Sequence, residues 1–152
     1  MFKKAQAAME FLMTYGWAIL VVLIAIGALA YFGVLSPERF LPEKCVISSG
    51  SGLFCEEFTS SATTNDVTIR VKNILTRSAW IDSITLDTPA CSNNATDVQI
   101  LADGTTDFAL DCGTLNSGDK IKASITITYD VGQSAGVGLS KTTTGQIVTA
   151  VP

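Results

Sequence analysis

The chain contains no histidine, and only 16% of its 152 residues are charged. The first absence removes the usual general base of Ser-His and Cys-His catalysis. With no glycine-rich phosphate loop either, no enzyme, no catalytic residue and no cofactor are expected. No two cysteines stand at the two-to-four-residue spacing of a zinc knuckle, which argues against a structural zinc site. Basic residues are outnumbered, ten Lys and Arg against fourteen Asp and Glu for a net charge of -4, and they form no long run, so a nucleic-acid-binding patch is not expected. Between Phe11 and Ser36 there is no charge at all.

That uncharged run holds 26 residues. As a helix it reaches about 39 Å, enough to cross a hydrocarbon core of about 30 Å with some tilt. Ile19 to Ile26 is apolar on every face, so the helix has no stripe to turn toward water and belongs in lipid or among other apolar helices. Lys3 and Lys4 precede the run, while Glu38, Arg39, Glu43 and Lys44 follow it. The positive-inside bias then leaves the N-terminus in the cytoplasm and residues from about 37 onward outside. A secretory signal peptide is one reading, since Ala28-Leu29-Ala30 has a small-x-small form, but the stretch exceeds the roughly 7 to 15 residues of a signal core. A plain membrane anchor is another. Neither needs Glu10, a carboxylate one residue before the apolar run, where charge is costly and by default functional. Phe11, Tyr15, Trp17, Tyr31 and Phe32 suit either an interfacial belt or packing between helices. Gly16, Ala18, Ala25, Gly27, Ala28 and Ala30 permit close helix approach.

The order Lys3-Lys4-Ala5-Gln6-Ala7-Ala8-Met9-Glu10-Phe11-Leu12, followed at once by the apolar run, resembles the class III signal peptide of archaeal type IV pilins and archaellins. The resemblance covers about residues 3 to 35. It implies that a prepilin peptidase cuts between Ala5 and Gln6, recognising Lys3 and Lys4, and leaves the helix on the mature subunit with Glu10 as its fifth residue. Residues 1–5 are then a leader, 6–35 a helix that first spans the membrane and later forms a filament core, 36–44 a neck, and 45–152 an extracellular domain. The implied partners are further copies of the chain in a helical homopolymer, the peptidase, an assembly platform, and the membrane before assembly. Helix residues Phe11, Tyr15, Trp17, Leu20, Leu23 and Ile24 would pack between copies, with Glu10 near the new amine of a neighbour. Adhesion is the expected role; a membrane-held binding domain and an archaellin are the alternatives.

Cys45, Cys55, Cys91 and Cys112 all fall on the outer side, where an even count reads as two disulfides. Flanks symmetric about Gly50, with Val46 facing Phe54 and Ile47 facing Leu53 across a five-residue turn, favour Cys45 with Cys55 in a hairpin, leaving Cys91 with Cys112. From Cys45 the period is two. Ile121, Ala123, Ile125, Ile127, Tyr129 and Val131 alternate with polar residues, as do Val67, Ile69 and Val71. Trp80, Ile84 and Leu86 share a face with Asp82 in a poorer match. Leu53 to Phe58, Val98 to Leu101, Phe108 to Cys112 and Gly145 to Val151 complete seven or eight strands. The expected fold is α+β: one long hydrophobic helix and an antiparallel immunoglobulin-like sandwich. Pro37 and Pro42 stiffen the neck between them.

Two polar features complete the set of candidates. Asp103, Asp107 and Asp111 recur at every fourth position, wider than a calcium loop, and read as solvated strand ends. Asn94-Ala95-Thr96 is a glycosylation acceptor in a polar loop, with abundant Ser and Thr nearby in sequence.

Overall fold

A computed structural model describes residues 2–33, 41–93 and 96–152. The chain divides into two compact units, Met1–Phe40 and Leu41–Pro152. The first is a single helix, α1 (Phe2–Tyr31), which runs without interruption through the expected leader boundary at Ala5-Gln6. It ends four residues before Leu35. Gly33 adopts φ 67° there, a left-handed turn available to a residue without Cβ, and Phe32 and Gly33 donate their amides to the Ala28 and Ala30 carbonyls to close the last turn. Pro37 and most of the neck lie outside the described residues.

The second unit is an antiparallel sheet of nine strands among the described residues. They are β1 (Lys44–Ile47), β2 (Leu53–Ser61), β3 (Asp66–Asn73), β4 (Ala79–Leu86), β5 (Cys91–Ser92), β6 (Val98–Ile100), β7 (Thr105–Asp111), β8 (Lys120–Val131) and β9 (Lys141–Ala150). Their order is β1-β9-β8-β4-β5-β7-β3-β2, with β6 on the first half of β4. The sheet curls until its two end strands meet, so it is nearly closed. Its interior is one cluster in which Ile125, Ile127 and Ile147 pack with Ile69, Val71, Ile81, Ile84 and Phe108.

β8 follows its alternation: Ile121, Ala123, Ile125, Ile127 and Tyr129 are buried, and Lys122 and Ser124 are exposed. β4 does not. Its register with β8 shifts between Ile81 and Ser83, so Asp82 is an extra residue opposite no single partner. Such a bulge moves the later side chains to the other face. Ala79 and Ile81 before it, and Ile84 and Leu86 after it, therefore share the core, and Trp80 does not join Ile84 as its spacing predicts.

The expected Cys45–Cys55 hairpin is also replaced. β1 pairs with β9, Cys45 opposite Ile147, while β2 pairs with β3, Cys55 opposite Val71. Flank symmetry is a local property, whereas the pairing depends on which edge the rest of the sheet presents, here Gly145 to Val148 of β9. Gly145 makes the pairing with β9 fit, because a Cβ there would run into the Val46 carbonyl and the Ile47 backbone.

Candidate assembly helix and its stapled headpiece

Every apolar side chain of α1 from Met9 to Leu29 with a large surface is exposed: Phe11, Leu12, Trp17, Leu20, Leu23 and Ile24 are all more than half exposed within the chain. The exposure runs around the whole circumference, as composition without a polar stripe requires. Among the described residues this is the one helix long and apolar enough to cross a membrane, by length and composition. Phe11 and Tyr15, one turn apart, stack with ring centroids 4.8 Å apart, and Tyr31 meets Phe32 edge-on at 5.7 Å. A Cβ added at Gly16 or Gly27 would meet nothing within 4 Å beyond the backbone of its own turns, so both glycines leave shallow notches open. Lys3, Lys4, Ala5, Gln6 and Glu10 are exposed on the same rod, and Thr14 Oγ1 donates to the Glu10 carbonyl at 2.9 Å.

The headpiece is held by two disulfides, Cys45–Cys55 and Cys91–Cys112. The first links β1 to β2, the two end strands of the sheet; the second links β5 to the residue that follows β7. Ser60 Oγ on β2 also donates to the Ala150 carbonyl on β9 at 2.7 Å across the same seam. At the chain's entry to the sheet, Lys120 Nζ donates to the Leu41 carbonyl at 2.7 Å and Glu43 Oε1 accepts the Ala150 amide at 3.1 Å.

No protein-family model matches the chain, and no curated protein is significantly similar to it.

The aspartates at every fourth position have separate duties. Asp107 takes two bonds from Arg70, at 2.6 and 2.9 Å, and Glu57 takes a third at 2.7 Å, tying β2, β3 and β7 across their outer face. The Arg70 hydrogen bonds hold the Asp107 carboxyl below the usual range and push the guanidinium up. Asp103 pairs with Lys72 at 3.2 Å, and Asp111 Oδ1 accepts the Gly113 amide at 2.9 Å. Asn94 lies outside the described residues; its neighbour Asn93 is fixed, accepting the Ile84 amide on its Oδ1 at 2.6 Å. Gly132-Gln133-Ser134-Ala135-Gly136 has the spacing of a nucleophile elbow, a match not singled out from the sequence. It sits in the loop between β8 and β9 rather than at a strand-to-helix turn, and without histidine it supplies no Ser-His pair.

Three polar residues organise the headpiece through hydrogen bonds that carry no sequence signal. Asn73 is wholly buried at the end of β3; its Nδ2 donates to the carbonyls of Arg77, Ile100 and Leu101, and its Oδ1 accepts the Leu75 amide at 3.0 Å. It thereby pins two loops at one end of the sheet. Tyr129 OH donates to the Ser51 carbonyl at 2.9 Å, fixing the β1–β2 loop at that end, and burial pushes its pKa up. Asp87, beyond β4, accepts the Ser124 amide at 2.7 Å, and this bond draws its carboxyl below the ordinary value.

Proposed function

We propose that this chain is the structural subunit of a type IV pilus-like surface filament. The observation that carries the reading is a thirty-residue helix that opens with Lys3-Lys4-Ala5-Gln6 and Glu10 and whose apolar residues from Phe11 onward are exposed all round. Such a rod is stable only where apolar partners surround it, first lipid and then other copies of itself. On this reading the precursor waits in the membrane with its N-terminus in the cytoplasm. A prepilin peptidase cuts between Ala5 and Gln6, and an assembly platform draws the subunits into a homopolymer with helices inside and headpieces outside. Two disulfides support an extracytoplasmic headpiece, because they persist where thiols are oxidised. We read that headpiece as an immunoglobulin-like sandwich, β4, β8, β9 and β1 over β2, β3 and β7, with adhesion as its role; the shared core of the two groups supports the layering.

Mass spectrometry of the native protein, with electron microscopy of sheared cell-surface material, tests the reading. A chain beginning at Gln6 in filaments is the expected result. Intact chains starting at Met1 in the membrane fraction would instead make it an anchored binding domain, and a start at Tyr31 a secreted one. Filaments that drive swimming would make it an archaellin.

A further inference from the structure

The chain enters the sheet at Leu41, beside Lys120 at the start of β8. At the opposite end, Ala79 pairs with both Ile100 and Val131, which brings three loops together: residues 74–78, 101–104 and 132–140. They line an open cavity of about 830 Å³, within the usual size of a ligand site. Its polar side chains are Thr76, Arg77, Ser78 and Gln133, and neither an acidic nor an aromatic residue lines it. The walls are tied to one another. Asn73 Nδ2 bonds the Arg77, Ile100 and Leu101 carbonyls, the Gly132 amide donates to the Ser78 carbonyl at 3.2 Å, and Trp80 Nε1 donates to the Gly132 carbonyl at 3.2 Å. The longest loop also folds back on its own strand, since a Cβ at Gly138 would stand 3.0 Å from the Val131 carbonyl. A partner therefore meets a surface already held in shape, with little ordering left to do.

Two properties set this end apart. Among the described residues six large apolar side chains of the headpiece are more than half exposed, and four of them, Ile74, Leu101, Val137 and Leu139, stand on these three loops. Val137 and Leu139 are 80% and 86% exposed, on a stretch, residues 132–140, that carries no charge. The second property is sign. Asp103, the one acid in the three loops, is paired with Lys72 at 3.2 Å, while Arg77 forms no ion pair among the described residues. On a chain of net charge -4, this end thus offers an uncompensated cation.

We propose that this end of the headpiece docks on a lipid surface that carries anionic phosphate headgroups. Val137, Leu139, Ile74 and Leu101 enter the boundary between headgroups and acyl chains, and Arg77 takes a phosphate at the cavity, where the Thr76 and Ser78 hydroxyls and the Gln133 amide offer further hydrogen bonds. The distribution of polarity favours lipid over a protein partner. A protein interface places its apolar residues at the centre and its polar ones at the rim. Here the centre is polar, and each of the three loops around it carries an exposed apolar side chain, the order that a membrane interface requires. A sugar ring would be expected to find an aromatic face, which the cavity does not supply. The docking surface belongs to the headpiece alone and does not depend on the filament reading.

Co-sedimentation tests it, with the full chain held by its helix in phosphatidylcholine nanodiscs and sucrose-loaded vesicles of seven parts phosphatidylcholine to three of phosphatidylglycerol added from outside. Every variant carries the same helix, so differences between variants report the loops. The wild-type chain is expected to sediment with the vesicles saturably. Val137→Ser with Leu139→Ser should weaken that binding at least tenfold. Arg77→Gln should weaken it about fivefold, the worth of one cation at an anionic surface, and should leave binding to pure phosphatidylcholine vesicles unchanged. Val46→Ser, at an exposed apolar residue of β1, should alter neither. A second readout does not depend on substituted loops folding alike: with all native cysteines in disulfides, a nitrobenzoxadiazole label on Leu139→Cys should brighten and shift to the blue with the anionic vesicles, and one on Thr63→Cys, at the other end of the sheet, should not. Sedimentation no greater than that of empty nanodiscs, sedimentation unaffected by the double substitution, or an unresponsive label at position 139 overturns the proposal. So does association of the chains without vesicles that the double substitution abolishes, which assigns the loops to a second copy.

Discussion

Cys45 and Cys55 bond two strands that share no backbone hydrogen bond with each other: β1 lies on β9 and β2 on β3. The staple therefore closes a seam rather than decorating a hairpin. The Cys91–Cys112 bond is different in kind, since its segments are already joined by the pairing of Ser92 with Asp111.

Replacing Cys45 and Cys55 together by Ser is expected to cost about 2–4 kcal/mol in urea unfolding, the usual range for a native disulfide. Amide exchange should then rise first in β1 and β2, next to the seam. The Cys91→Ser/Cys112→Ser pair is expected to lower stability comparably while leaving β1 protected. Equal exchange along β1 in both variants would contradict the assignment of the first bond to the seam.

Asn73→Ala leaves the buried Ile100 carbonyl and the part-buried Arg77 and Leu101 carbonyls and Leu75 amide without this partner, and an unsatisfied buried group costs about 1–3 kcal/mol. The expected loss is at the upper part of that range. In NMR spectra, resonances of residues 74–78 and 100–104 should broaden or shift, while those of the Asn65 turn at the opposite end should not.

Stability should depend on pH at both ends of the scale. Asp87 and Asp107 have folded-state values below the ordinary value of about 3.9, so the stability they contribute is present above that value and is lost as pH falls through it toward their folded values. Tyr129 is raised, so its contribution is present below the ordinary value of about 10 and is lost as pH climbs through the raised one. Tm measured from pH 2 to 12 should fall on both limbs. Asp107→Asn should flatten the acid limb and Tyr129→Phe the alkaline one.

Glu10→Gln removes the charge that would meet the Gln6 amine of a neighbouring subunit while keeping the size of the side chain. Fewer filaments, or filaments with an altered axial rise, are expected by electron microscopy, with headpiece Tm unchanged. Unaltered assembly and rise would remove Glu10 from the assembly role.

Much of the headpiece was legible because period-two burial is a local property. Ile121 to Tyr129 announces β8, and Val67, Ile69 and Val71 announce β3, since each strand turns every second side chain inward whatever its partner. Failures begin where a partner decides. Asp82 looks like one more member of an alternating face until the register with β8 skips it. Leu53 and Ile47 look like hairpin partners until β9 takes β1. Asn73 reads as an ordinary strand-end residue, because the carbonyls it serves come from 4 to 28 positions away. The apolar helix lies at the other extreme: its composition alone fixes its conformation and its distaste for water, and its processing and packing are questions about other molecules.

Closure of the sheet has a further consequence on the proposed filament reading, in which copies of the chain pack closely. An open sheet edge offers a row of free amides and carbonyls to any neighbour, and at high local concentration it recruits strands indiscriminately. Here the two ends of the sheet face one another across the Cys45–Cys55 bond and the Ser60–Ala150 contact. If the chain assembles as proposed, end strands turned toward each other at the seam would offer less of that backbone to neighbouring headpieces, and the choice of partner would fall to the helix.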